Sequence, residues 1–68
     1  MKKIKINTEY ITLGQFLKYI GILRSGAEAK VYLLSHSVTV NTVKEDRRGK
    51  KIYPGMQLEI DNTSYLVE

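Results

Sequence analysis

The chain contains no cysteine and no tryptophan, and only one proline and one histidine among its 68 residues. Without cysteine it has neither a disulfide framework nor a thiolate metal site. A lone His36 excludes zinc sites built from several imidazoles. No apolar run approaches the roughly 18 residues that a membrane span needs. The opening "MKKIKINTEYITLG" carries lysines but no apolar core and no small-residue cleavage site, so it does not read as a signal peptide. The expectation is a soluble, cytoplasmic, monomeric protein with no membrane partner.

Size excludes more. A chain this short is expected to form a single domain, residues 1–68, which buries only about 60% of its unfolded surface. Ligand pockets commonly need roughly 300 Å³ or more. A small core of Ile, Leu and Val leaves little room for one, so neither a cofactor nor a small-molecule substrate is expected. Nor does the sequence offer a catalytic constellation. Ser35 and Ser37 flank His36, but adjacent polar residues at a helix end are better explained as a cap and loop. The seven carboxylates show no metal-loop spacing, and "RRGKK" lacks the second glycine and the Lys-Ser/Thr pair of a phosphate-binding loop.

What is present is an ordinary globular composition, 43% hydrophobic and 26% charged, with a net charge of +4. The charge is unevenly spread. The segment 44–51, "KEDRRGKK", has five basic residues against two acidic ones, whereas residues 52–68 contain three acidic residues and no basic ones. Positive charge concentrated in one part of the chain reads as a polyanion-binding face.

The order of elements is legible. "KKIKIN" alternates, putting Ile4 and Ile6 on one face of a strand. "TLGQFLKYIGI" places Leu13, Phe16, Leu17 and Ile20 at helical spacing, with a Thr12–Gln15 capping box and Gly21 as a left-handed cap. Lys18 points away from this stripe. A second helix is expected after Ser25, with Glu28 completing its capping box and Ala27, Val31 and Leu34 as its buried stripe. Next come a strand with Val38 and Val40 inward, a short strand, a charged hairpin turn and another extended piece. The Pro54-Gly55 turn, a strand with Met56, Leu58 and Ile60 inward, and a last strand from Tyr65 to Val67 complete the chain. This pattern predicts an α+β fold, two short helices packed on a small, mostly antiparallel sheet of four to five strands.

Binding is the chemistry that remains. Arg47, Arg48, Lys50 and Lys51 crowd five positions, and guanidinium forks suit phosphate oxygens. Arg24 and Ser25 stand at the start of the second helix, where backbone N–H groups favour an anion. Lys30 follows about a turn and a half later. Tyrosines offer stacking platforms, although Tyr19, Tyr32 and Tyr53 are expected to be partly core.

Taken in order, "LGQFLKYIGILRSGAEAKVYLLSHSVTVN" and "EDRRGKKIYPG" resemble the S4 domain, an RNA-binding module first known from a small-subunit ribosomal protein. The resemblance covers residues 12–60 and rests on Leu17, Gly21, Ser25, Ala29, Lys30, Val38, Val40, Asn41 and Gly55. The "RRGKK" variant is similar to the stand-alone S4-like small proteins of the YaaA-like group. The resemblance implies a concave basic face for structured RNA, either ribosomal RNA or a ribosome assembly intermediate. It puts Arg24, Ser25 and Lys30 on that face, with Asn41 at its edge and Arg47, Arg48, Lys50 and Lys51 extending it; solvent-facing Lys18 is a further candidate for RNA binding. Three departures concern turns. Asn41 precedes Thr42 rather than Gly, so that turn should change form or carry strain. Gly55 precedes Met56 rather than Asp. His36 occupies a position where Gly is usual and is expected at positive φ. The competing reading is a protein-interaction adaptor that keeps the fold without specific RNA binding. It predicts an exposed apolar patch and weak salt dependence. Charge alone leaves DNA open, but no recognition helix rich in Arg and Asn is evident.

Overall fold

The N- and C-terminal segments lie side by side in one sheet. In the computed structural model, which describes residues 1–68, β1 (Lys2–Ile4) pairs in parallel with β7 (Thr63–Val67). Antiparallel pairing then runs from β7 to β6 (Gln57–Ile60), β3 (Val38–Val40) and β4 (Val43–Lys44), giving the order β1-β7-β6-β3-β4. A separate two-stranded ladder joins β2 (Ile11–Thr12) to β5 (Lys51–Ile52). The α+β class and the two short helices agree with the sequence pattern, and the main sheet has five strands.

The first helix, α1 (Leu13–Tyr19), begins and ends as its sequence dictates. The Gln15 N–H donates to Thr12 Oγ1 at 3.2 Å, and the Thr12 N–H donates to Gln15 Oε1 at 2.8 Å. At the other end Gly21 takes φ +86°. The Ile22 N–H reaches Leu17 O at 3.0 Å and the Gly21 N–H reaches Lys18 O at 3.1 Å. This is a Schellman cap, for which glycine is favoured because it has no Cβ. Leu13, Phe16 and Leu17 are fully buried. Each such side chain contributes about 1.5–3 kcal/mol of transfer free energy. The Phe16 ring meets Tyr65 edge-on at 5.6 Å. Tyr65 is thus the core tyrosine, while Tyr19 and Tyr53 are exposed, contrary to their expected place. Tyr32 is half-buried, as expected.

The second helix differs from its expected form. It opens as a 3₁₀ turn, Gly26–Glu28, and continues as α2 (Ala29–Ser35). Its buried side is Ala29 and Leu33, whereas Val31 and Leu34 are 69% and 72% exposed. Residues 29, 32 and 33 and residues 27, 31 and 34 both follow helical spacing, and only one stripe faces the sheet. Small Ala29 lies against α1 at Gly14, where a Cβ on residue 14 would stand 3.5 Å from its own. Beyond α2, His36 has φ −124°, ordinary extended backbone rather than the positive φ expected. Its Nδ1 lies 2.7 Å from Asp61 Oδ2, and its ring stacks on Tyr32 with centroids 4.0 Å apart. The imidazole beside Asp61 holds that carboxyl below its usual range, with the Ser37 N–H adding to the effect. This cluster ties the end of α2 to the β6–β7 turn.

Two hairpins use the same turn. Asn41 and Thr42 have φ of 50° and 70°, and Asp61 and Asn62 have 47° and 76°. Positive φ at both central residues marks a type I′ turn, whose twist suits a two-residue hairpin. The β3–β4 turn therefore keeps its form and carries strain at Thr42, a β-branched residue in left-handed backbone.

Candidate nucleic-acid interface

The charged segment 45–50 is not a hairpin turn. It leaves β4 in the five-stranded sheet and ends at β5 in the two-stranded ladder. On the way it crosses the start of α1. The Gly14 N–H donates to Arg48 O at 2.9 Å, and the Leu13 N–H donates to Lys50 O at 2.8 Å. The first turn of a helix always has amides with no helical partner, and here the loop's carbonyls satisfy two of them. With its carbonyls turned inward, the loop leaves the Arg48 side chain outside. The approach leaves room at residue 14 for a methyl group. A Cβ there would stand 3.5 Å from Ala29 Cβ, Arg48 Cβ and Arg48 O.

At its sheet end the loop is held by an ion pair. Arg47 Nε and Nη2 donate to Glu45 at 2.8 and 3.0 Å, and the Arg47 N–H donates to the same carboxylate at 3.0 Å. Glu45 is buried, and this guanidinium fork lowers its pKa to about 2. Arg47 is the one Lys or Arg in an ion pair, so much of its donor capacity is already used within the chain.

The loop meets the beginning of the second helix. Arg48 and Gly49 share an open groove of about 290 Å³ with Gly26, Gly14, Thr12 and Gln15. Arg24 stands two residues before Gly26 and is exposed. Lys30 is exposed on α2, next to the Ala29 that packs on Gly14. Lys18 is exposed one helical turn beyond Gly14 on α1. Lys50 is half-buried at the loop's end, and Lys51 places its Nζ 4.9 Å from the centroid of the Tyr10 ring.

Two expected site residues, Ser25 and Asn41, make hydrogen bonds within the fold. Glu28 Oε1 accepts from the N–H groups of Arg24 and Ser25 at 3.3 and 3.2 Å, and from Ser25 Oγ at 3.5 Å. This is the Ser25–Glu28 capping box that the sequence predicts. Asn41 has no contact with the groove. Its Oδ1 accepts from the Gln57 N–H at 2.9 Å and its own N–H donates to Gln57 O at 2.7 Å, which fixes the β3–β4 turn.

Sequence reasoning overlooked the groove's small residues. Gly14 read only as a weak point in a helix, and its signal was a glycine in a first turn, where a neighbour needs space. Glu59 alternates with buried Leu58 and Ile60, so it belongs to the outer face of the sheet together with Gln57.

Comparisons with known proteins agree with this architecture. The chain is 50% identical over 58 residues to "Probable ribosome maturation protein RlbA" of Bacillus subtilis (strain 168), covering 85% of this chain and 82% of that protein. No solved structure matches the chain. The S4 domain profile matches residues 4–68, nearly the full length, and the chain belongs to the S4 domain family.

Proposed function

We propose that this protein binds structured RNA without catalysing a reaction on it, and that the RNA is ribosomal RNA or part of a ribosome assembly intermediate. One observation carries this reading. A basic loop is braced against α1 and brought beside the start of the second helix, and Arg48, Lys50 and Lys51, unlike Arg47, have no carboxylate partner. Fixed cations around an open groove suit the phosphates of a folded RNA, recognised by shape rather than by base edges. Arg48, Lys50 and Lys51 form one side of the interface, and Arg24 and Lys30 the other. Lys18 extends it along α1. Arg47 contributes through the hold it gives the loop. The name of the Bacillus relative supports the ribosomal direction. The reading takes the chain as a monomeric, cytoplasmic protein of one domain.

The adaptor reading is favoured by a different feature, the exposed Val31 and Leu34 on α2. Substitutions separate the two. Replacing Arg24 and Lys30 together with Ala, or reversing Arg48 and Lys50 to Glu, should weaken binding to a folded ribosomal RNA fragment and flatten its salt dependence. Unchanged affinity in both variants would reject the interface.

A further inference from the structure

A second cavity lies beside the groove. Ile6, Ile11, Tyr10 and Tyr19 wall a half-open space of about 310 Å³ between the segment 6–11 and α1. That is the small end of the range for ligand pockets, enough for one planar ring system. Its aromatic walls are held from outside. The Tyr19 hydroxyl donates to Lys5 O at 3.0 Å while the residue stays 64% exposed. The Tyr10 ring lies 5.5 Å from that of Tyr53, at 44°.

Charge and position indicate the occupant. Lys51 Nζ sits 4.9 Å from the Tyr10 centroid, and Lys5 and Lys18 adjoin the Tyr19 wall by contact and by sequence. Glu9 is the one carboxylate next in chain to these rings. Gln15 lines both this cavity and the groove beside Arg48, so the two are neighbours. Lys51 likewise follows directly on the basic loop. Stacking walls beside cations suit a base and its phosphate.

We propose that this cavity takes one unpaired nucleobase of an RNA whose folded part lies in the groove. The proposal rests on the RNA-binding reading and adds a single-stranded flank to what is recognised. Stacking on aromatic side chains tolerates any base, so the site would sense the presence of an unpaired nucleotide more than its identity.

The test is an anisotropy titration of a blunt RNA hairpin and of the same hairpin with a four-nucleotide single-stranded tail. In the native protein the tail should tighten binding about tenfold. Tyr10→Leu and Tyr19→Leu should each lose most of that gain and bind the blunt hairpin as before, while Tyr19→Phe should keep it. Tyr19→Leu changes an exposed ring, so it carries the test even if Tyr10→Leu does not fold. Arg48→Ala with Lys50→Ala should weaken both hairpins and preserve their ratio. If the blunt hairpin binds but the tail adds nothing, or if the leucine variants keep the gain, the cavity proposal is overturned and the RNA reading stands. If neither hairpin binds, both are overturned.

Discussion

The Gly14 amide donates to the Arg48 carbonyl at 2.9 Å, and this bond joins the first turn of α1 to the middle of the basic loop. It makes the loop's position a property of the helix. A methyl at residue 14 would meet its neighbours at 3.5 Å, an ordinary contact. Gly14→Ala should therefore keep the loop in place and raise stability by about 0.5 kcal/mol through helix propensity. Gly14→Leu should displace Arg48 and lower both stability and RNA affinity. Denaturant melts and RNA titration of the two variants check this.

Leu33 and Leu34 are adjacent and chemically identical, yet the first is 1% exposed and the second 72%. Leu33→Ala should cost about 2–5 kcal/mol, a large part of the stability of so small a domain. Leu34→Ala should stay within about 0.5 kcal/mol of the native protein. A larger cost at Leu34 than at Leu33 would mean that the second helix packs through the other stripe.

Glu45 has its pKa lowered to about 2 against an ordinary 4.5, chiefly by its hydrogen bonds from the Arg47 side chain. A depressed carboxylate stabilises the folded state above its unfolded pKa. That contribution falls away as pH drops from about 4.5 through 2. Glu45→Gln cannot titrate, so it should melt below the native protein at pH 7, with the gap closing between pH 5 and 2. Thermal melts across that range show the effect, and a constant gap would refute it.

Thr42 holds φ 70° in the β3–β4 turn. Thr42→Gly relieves a left-handed conformation that costs a β-branched residue about 1–2 kcal/mol, partly offset by the added freedom of glycine in the unfolded chain. The net expectation is a gain of about 0.5–1 kcal/mol, or several degrees in Tm. A loss of stability would show that the threonine side chain holds the turn in some other way.

Much of this was legible because local chemistry decided it. Thr12, Gln15 and Gly21 announce the ends of α1, and alternation at Leu58 and Ile60 announces a strand with one face inward. The rest depended on partners distant in the chain. Two apolar stripes on the second helix are equivalent until the fold buries the one with Ala29. "KEDRRGKK" reads as a hairpin turn until β5 is seen to pair with β2 instead of β4. His36 was expected in strained backbone because it stands where glycine is usual, but Asp61, 25 residues away, gives it a partner in extended backbone. For the proposed interface, the types and spacing of the basic residues are the signal that suggested it. Sequence could not show that Arg47 is spent on Glu45, whereas the Ser25–Glu28 capping box was legible and is present.

The most direct measurement is a fluorescence-anisotropy titration of the protein against a folded ribosomal RNA fragment and a duplex DNA of equal charge, each at two salt concentrations. RNA binding by several unpaired cations predicts tighter binding to the RNA and a log–log salt slope of about −3 or steeper. Equal binding to both nucleic acids, or an affinity that salt leaves unchanged, would contradict it.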